Sequence, residues 1–233
     1  MTTPGSLPLC FRCDCQPCEC HDGITLYHAD CRDILPLLEP GSVDLLLTDP
    51  PYGMNYNTDS RRFTGGVNKE RRYGQGQGPR PVTGDDEVFD PTPFLLFPRV
   101  ILWGFNHWAQ RVPIGTTLVW LKKRAHRLGA FLSDAELAWE KGGHGVYATY
   151  VPGDGRWDLA EGCVRCHPTQ KPIALMGWCL ERHQNAASIL DPFAGSGTTG
   201  RACKDLGRKC IQIEIEERYC EIAARRLEQE VLF

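Results

Sequence analysis

Two short segments of this 233-residue chain combine residue types that can do chemistry. The first is Asp49-Pro50-Pro51-Tyr52. Consecutive prolines cannot continue a hydrogen-bonded ladder, so a strand ending here stops with a carbonyl pointing outward. That carbonyl and the Asp49 carboxylate are two acceptors suited to gripping an NH2 group. Tyr52 adds a flat face on which a planar ring can stack. The second segment runs from Asp191 through Phe193, Gly195, Ser196, Gly197 and Thr198 to Gly200, and contains a G-x-G-x-x-G pattern. Alone that pattern is a weak signal. Its context strengthens it, with a strand before, a helix after, and an acid, Glu214, at the end of the next strand. Glycines there let the backbone approach a bound nucleoside, and Glu214 can accept hydrogen bonds from both ribose hydroxyls.

Both segments need a scaffold that delivers them to one place. Ser42 to Asp49 is a nearly continuous apolar run, the pattern of a strand buried on both faces in a parallel sheet. Gly23 to Ala29, Arg99 to Phe105 and Thr116 to Lys122 read as further strands, and Cys31 to Leu38 and Asn106 to Arg111 as short helices. Ser133 to Glu140 fits a strand or a short helix. An irregular stretch, Gly142 to Pro168, precedes a helix from about Pro172 to His183. The chain then reads strand, helix, strand, helix through Ala187–Leu190, Thr198–Leu206, Lys209–Glu214 and Glu217–Glu228. Such alternation predicts an α/β fold, a parallel sheet with helices on its faces. Ligands of open α/β sheets bind outside the carboxyl ends of the strands, where strand order reverses. Both segments lie at such ends, so one crevice is expected to serve both.

The length suits one domain of generous size. No apolar run approaches the roughly 18 residues of a membrane span, and the N-terminus lacks a signal pattern, so a cytoplasmic protein with no membrane partner is expected. Net charge is −3 but unevenly spread. Between Tyr56 and Thr83, Arg61, Arg62, Lys69, Arg71, Arg72 and Arg80 face only Asp59 and Glu70, within a glycine-rich loop over 53–83. A basic stretch on an acidic protein fits a directed anionic ligand. Twelve cysteines are too many to ignore, and in a reducing compartment they are free thiols or metal ligands. In the head, residues 1–22, Cys10-x2-Cys13 and Cys15-x2-Cys18 look like zinc-knuckle halves, with Cys20 and His21 nearby. Only Asp14 separates the pairs, which departs from a usual finger. One pair meeting Cys163-x2-Cys166, or a reduced tail, are the alternatives to a structural zinc.

The motifs, in this order, resemble those of the β-class amino DNA methyltransferases, the N6-adenine/N4-cytosine family. The resemblance runs from about Ile24 to Phe233. It rests on DPPY at 49–52, on His167-Pro168-Thr169-Gln170-Lys171-Pro172, on DPFAGSGTT at 191–199, on the Glu214 strand and on the Tyr219-containing helix. It implies a Rossmann-like methyltransferase fold with a mixed seven-stranded sheet in circularly permuted order over 23–233. It also implies methyl transfer from S-adenosylmethionine to the exocyclic amine of a base flipped out of double-stranded DNA. Asp49, Pro50, Pro51 and Tyr52 would be catalytic. Asp as the first of these favours adenine N6, with cytosine N4 as the alternative. Asp191, Phe193, Gly195, Ser196, Gly197 and Thr198 would surround the cofactor, with Glu214 on its ribose, Thr169 and Lys171 at its carboxylate, and Asp30 near its adenine.

The same resemblance makes Arg61, Arg62, Lys69, Arg71 and Arg72 a DNA-backbone clamp. Residues 142–167, with Tyr147, Tyr150, Arg156 and Trp157, become a target-recognition segment short enough to imply a short or relaxed target. A restriction-modification role in a bacterial or phage-infected cell follows by the same analogy, with a homodimer left open. Methylation of RNA or of a protein amide, or a silent zinc- and DNA-binding protein, are the competing functions. Motif order speaks against the former and the intact tetrapeptide against the latter.

Overall fold

The apolar run around residue 46 forms a strand, Leu45–Thr48 (β2), whose four residues are all buried. Successive side chains of a strand point to opposite faces, so burial of all four requires cover on both sides. The computed structural model, which describes residues 6–15, 22–55, 82–129, 133–152 and 170–229, shows that cover. Leu45 and Leu47 pack in one cluster with Ile101, Trp103, Leu175 and Leu180. Leu46 packs in another with Val100, Leu102, Trp108 and Ile34.

The strands around β2 are Ile24–His28 (β1), Val100–Trp103 (β3), Thr116–Leu121 (β4), Ala135–Glu140 (β5), Val146–Tyr150 (β6), Ser188–Asp191 (β7) and Lys209–Glu214 (β8). They form one sheet in the order β1-β8-β7-β2-β3-β5-β4-β6. Neighbours are parallel except that β5 runs antiparallel to both β3 and β4. The fold class is the one expected, and the sheet has eight strands where the resemblance implied seven. The strand at the sheet end is β6, inside a stretch expected to be irregular. Its Val-Tyr-Ala-Thr-Tyr sequence has the β-branched and aromatic composition of a strand, and β4 offers it a full ladder. The open alternative at 133–140 resolves to strand for the same reason, with partners on both sides.

The helices are Cys31–Ile34 (α1), Phe105–Trp108 (α2), Ile173–Glu181 (α3), Thr198–Asp205 (α4) and Glu217–Glu228 (α5) among the described residues. No helix there is long and apolar enough to cross a membrane. From β2 the chain moves to β3 on one side, and from β7 it moves to β8 on the other, although β2 and β7 are neighbours. The reversal point therefore lies between β2 and β7, where a crevice opens at the carboxyl edge. Because β5 is antiparallel, it brings its N-terminal residues, Ala135 and Glu136, to that same edge.

One buried group is out of keeping with its surroundings. Gln212 on β8 is 0 % exposed, and neither polar atom of its amide has a hydrogen-bond partner among the described residues. It fills the space beneath Gly200 on α4, where an added Cβ would lie 2.1 Å from Gln212 Oε1. Replacing it with an apolar side chain of similar volume removes an unpaired amide and leaves no cavity. Gln212→Met should therefore raise unfolding stability by about 1 kcal/mol, seen as a higher urea midpoint at unchanged slope. A lower midpoint would show that the amide is bonded in solution.

Candidate active site

The chain leaves β2 at Asp49 and turns sharply, and a single carboxylate holds the turn. Asp85 Oδ1 accepts hydrogen bonds from the backbone N–H groups of Tyr52 (2.9 Å), Gly53 (2.9 Å) and Met54 (3.3 Å). Gly53 has φ +71, and a Cβ there would come within 2.4 Å of Glu87 O, so only glycine fits. The turn folds Tyr52 back over the strand end, and its hydroxyl donates to Asp49 Oδ1 at 2.5 Å. The Tyr52 ring stacks on His107, with centroids 4.9 Å apart and planes 17° from parallel. The Cδ1–Cε1 side of the ring abuts Gly104 at φ +87, where a Cβ would lie 2.1 Å from Tyr52 Cε1. The ring thus occupies a slot that exists because residue 104 has no side chain.

A buried lysine closes the site. Lys171 is 5 % exposed, and its Nζ donates to Asp49 Oδ2 (2.7 Å) and Tyr52 Oη (3.1 Å). The same Nζ lies 2.9 Å from Glu136 Oε2, and Glu136 Oε1 in turn takes Lys122 Nζ at 3.0 Å. Burial pushes the Asp49 carboxyl above its ordinary pKa, with Lys171 opposing and Glu136 adding to the rise. Burial would pull the Lys171 ammonium down, but Asp49 and Glu136 together hold it well above the usual lysine range. Glu136 resists burial through Lys171 and Lys122 and is held down at about 2.

Next to this lies the glycine loop. Glu214 at the end of β8 accepts Gly195 N–H on one oxygen (2.7 Å) and Glu216 N–H on the other (2.8 Å). Each oxygen retains a lone pair. Asp191 Oδ1 accepts from Phe193 N–H (3.2 Å) and from the Thr48 hydroxyl (2.5 Å), and burial raises its pKa to about 6. The Thr48 bond joins the two motifs directly. Behind the loop, buried Arg226 of α5 donates through Nη1 to Ser196 O (2.7 Å), Ser196 Oγ (2.9 Å) and Thr198 Oγ1 (3.2 Å). Gly197, at φ +78, lets the loop sit against Ala223 of the same helix.

The structure thus brings Asp49 to Tyr52 and Asp191 to Thr198 to one crevice, with Glu214 beside them. Lys171, expected at the cofactor's carboxylate, has its ammonium against Asp49, Tyr52 and Glu136. Asp30 follows β1 at the same edge, where Ala29 N–H bonds Glu214 O at 3.0 Å, and its carboxylate caps α1 and pairs with exposed Arg32. Thr169, Arg61, Arg62, Lys69, Arg71, Arg72 and Cys18 lie outside the described residues. Cys10 and Cys13 form a tight turn, with Cys13 N–H to Cys10 O at 3.2 Å and Cys10 N–H to Cys15 O at 3.1 Å. Among the described residues no three His, Cys, Asp or Glu side chains are grouped to hold a metal, and Cys18, Cys20, His21, Cys163 and Cys166 lie outside those residues. Asp85, Glu136, His107 and Arg226 went unnoticed in the sequence. The first follows a glycine as a turn residue would, and the others carry no local signature.

A family model described as DNA methylase, N6_N4_Mtase, matches residues 145–225. Type II methyltransferase M.HinfI of Haemophilus influenzae is 27 % identical over 88 % of this chain and 68 % of its own length. M2.MboI of Moraxella bovis is 24 % identical over 86 % of each chain. Over most of its length the chain is thus similar to N6/N4 DNA methylases. Its similarity to M2.DpnII of Streptococcus pneumoniae is higher, 51 %, but confined to 65 residues, 28 % of this chain and 24 % of that one. The fold matches that of the PvuII DNA methyltransferase (cytosine-N4-specific), with a TM-score of 0.56 over 98 % of this chain and 90 % of that chain, at 13 % identity. It also matches M1.HpyAVI, with a TM-score of 0.50 over 89 % of this chain and 100 % of that chain, at 23 % identity.

The slot around Tyr52 can be tested by stability alone. Gly104→Ala meets both the positive φ and the Tyr52 ring, and should cost about 2 kcal/mol in urea unfolding. In a Tyr52→Ala background the same change should cost about 1 kcal/mol, the backbone strain that remains. Equal costs in the two backgrounds would mean that the ring does not occupy the slot.

Proposed function

We propose that the protein transfers a methyl group from S-adenosylmethionine to the exocyclic amine of a base in double-stranded DNA, adenine at N6. What carries this is the position of the Asp49 carboxylate, one hydrogen-bonded step from the glycine-loop strand through Thr48 and Asp191. Similarity to the DNA methylase family model and to the type II methyltransferases supports the DNA substrate. The solved M1.HpyAVI–SAM complex, of a protein similar in fold, supports the methyl donor.

The glycine loop fits that donor. Gly195 and Gly197 present backbone with no Cβ, Phe193 offers an aromatic edge beside Phe94 (5.7 Å between centroids), and the Glu214 oxygens retain lone pairs for ribose hydroxyls. When bound, S-adenosylmethionine supplies an electrophilic methyl carbon on a sulfonium. This chain's residues do the rest. Asp49 and the Pro50 carbonyl accept the two N–H bonds of the amine and aim its lone pair across the crevice. The amine takes the place of the Tyr52 hydroxyl on Asp49 Oδ1. As nitrogen becomes positive, the adjacent carboxylate stabilises it, and burial, which raises Asp49, readies that oxygen to receive the departing proton. The ring face of Tyr52 turned away from His107 is the stacking surface for the base. A duplex base reaches such a crevice only when flipped out.

Asp49 as the first residue of the tetrapeptide supports adenine over cytosine. DNA would lie across the carboxyl edge, where the loop after β4 carries exposed Arg124, His126 and Arg127. Lys123 pairs with Asp134 at 2.8 Å and orders that loop. The type II relatives support a cytoplasmic restriction-modification enzyme.

Transfer of labelled methyl to DNA, followed by digestion and mass spectrometry, should yield N6-methyladenine, whereas N4-methylcytosine would correct the base. Asp49→Ala should lower transfer at least about a thousandfold, and transfer that persists would overturn the assignment. Because Asp49 must be ionised to grip the amine, activity should fall as pH is lowered, with a midpoint above the usual carboxylate range. Arg124→Ala and Arg127→Ala should each weaken binding to all DNA sequences alike and reduce the salt slope by about one.

A further inference from the structure

We infer that Glu136 is a positioning residue for methyl transfer, holding the Lys171 ammonium against Asp49 and so fixing the place and charge of the carboxylate that grips the amine. This rests on the assignment of Asp49 above. Lys171 Nζ donates to Asp49 Oδ2 at 2.7 Å and Tyr52 Oη at 3.1 Å, and its third neighbour is the Glu136 carboxylate, an ion pair with Oε2 at 2.9 Å. Two of these belong to the tetrapeptide. Glu136 is the third, from a strand on the far side of β3, and is itself anchored by Lys122 at 3.0 Å. The result is an alternating row, Lys122, Glu136, Lys171, Asp49, running along the carboxyl edge into the crevice.

A lysine stem has four rotatable bonds, and Asp49 alone would not fix it. With Glu136 in place the ammonium is pinned between two anions, and the Asp49 carboxylate is pinned with it. Without the Glu136 charge the 5 %-exposed ammonium stays on Asp49 and Tyr52 but is held from one side only, and its place is less fixed. Misplacement of a reacting group by about 1 Å costs on the order of a hundredfold in rate. A purely structural counterion would affect stability, whereas a positioning residue must also change how Asp49 titrates. The charged and titratable groups around Asp49 are Lys171 before α3, Glu136 on β5, Tyr52 in the turn and Asp191 on β7, with Lys122 beyond Glu136 and His107 beyond Tyr52. Removing Glu136 takes away a negative neighbour, and removing Lys171 takes away a positive one, so the two must move Asp49 in opposite directions.

The full chain labelled with carboxyl-13C aspartate, its Asp49 signal identified by loss in Asp49→Asn, would be titrated by NMR alongside kinetics of methyl transfer to DNA. Glu136→Gln should lower the Asp49 midpoint and reduce kcat about tenfold to a hundredfold with KM little changed. Lys171→Gln should raise the midpoint, and it tests the same link if Glu136→Gln does not fold. An unmoved midpoint in both variants, or loss of thermal stability and kcat with no change in titration, would overturn the inference. The titration needs no substrate. A wild-type protein that transfers no methyl to DNA would therefore remove the role of Asp49, while the coupling of Glu136 to it would still be read.

Discussion

A lysine ammonium that is 5 % exposed is the constraint on which the site depends. Taking a charge out of water costs several kcal/mol, and only close, well-aligned counter-charges offset it. Here the counter-charges come from two places far apart in sequence, residue 49 at the end of β2 and residue 136 at the start of β5. Three segments must therefore converge within hydrogen-bonding distance of one nitrogen. That convergence dictates the direction of β5. A parallel strand at this position would deliver Glu140, not Glu136, to the crevice edge. As built, Glu140 sits at the opposite edge, paired with Arg182 at 2.6 Å and His183 at 2.8 Å beyond the end of α3.

The crevice itself follows from the sheet order. Asp49 and the glycine loop are separated by more than 140 residues, yet β2 and β7 are adjacent and Thr48 touches Asp191. The order in which the two motifs occur along the chain is immaterial to the chemistry, because the switch point depends only on which strands are neighbours. The loop side is built with the same economy of partners. Glu214 organises the loop from the front through Gly195 N–H, and Arg226 from behind through Ser196 and Thr198. Both are charged groups whose hydrogen bonds to the loop's own polar atoms set its shape before any ligand arrives.

Much of this was legible in the sequence because it is local. The apolar run at 42–49, the βαβα alternation at the C-terminal end and the glycine loop with its acid all announce themselves within windows of a few to about 25 residues. What was not legible depends on pairing across the chain. Residues 133–140 fit two structures until β3 and β4 supplied ladders on both sides, and residues 146–150 read as irregular because the glycines and His144 before them masked a five-residue strand. The role of Lys171 was assigned by resemblance to the cofactor side. Nothing local to residue 171 could reveal that residue 136 would stand beside it. Asp85, Arg226 and His107 were missed for the same reason, since each acts on a segment at least 28 residues away.

The tetrapeptide is also satisfied internally. Asp49 has a hydrogen-bond donor on each oxygen, Tyr52 Oη on one and Lys171 Nζ on the other, and Tyr52 rests on His107. A buried carboxylate without donors would be costly, and the turn meets that need with its own tyrosine. On the proposed reading, an amine entering the crevice exchanges one donor for another at Asp49 Oδ1 and does not desolvate the carboxylate afresh. On the same reading Lys171 keeps its hold on Oδ2 throughout, so the charge that would stabilise the reacting nitrogen is already in place. Gly104 and His107 then limit where the Tyr52 ring can go, so that its hydroxyl can leave Asp49 while the ring remains available to a base. Preorganisation of this kind lies in the supports of the four residues, Asp85 under the turn, Gly104 beside the ring and Glu136 behind the lysine, as much as in the four themselves.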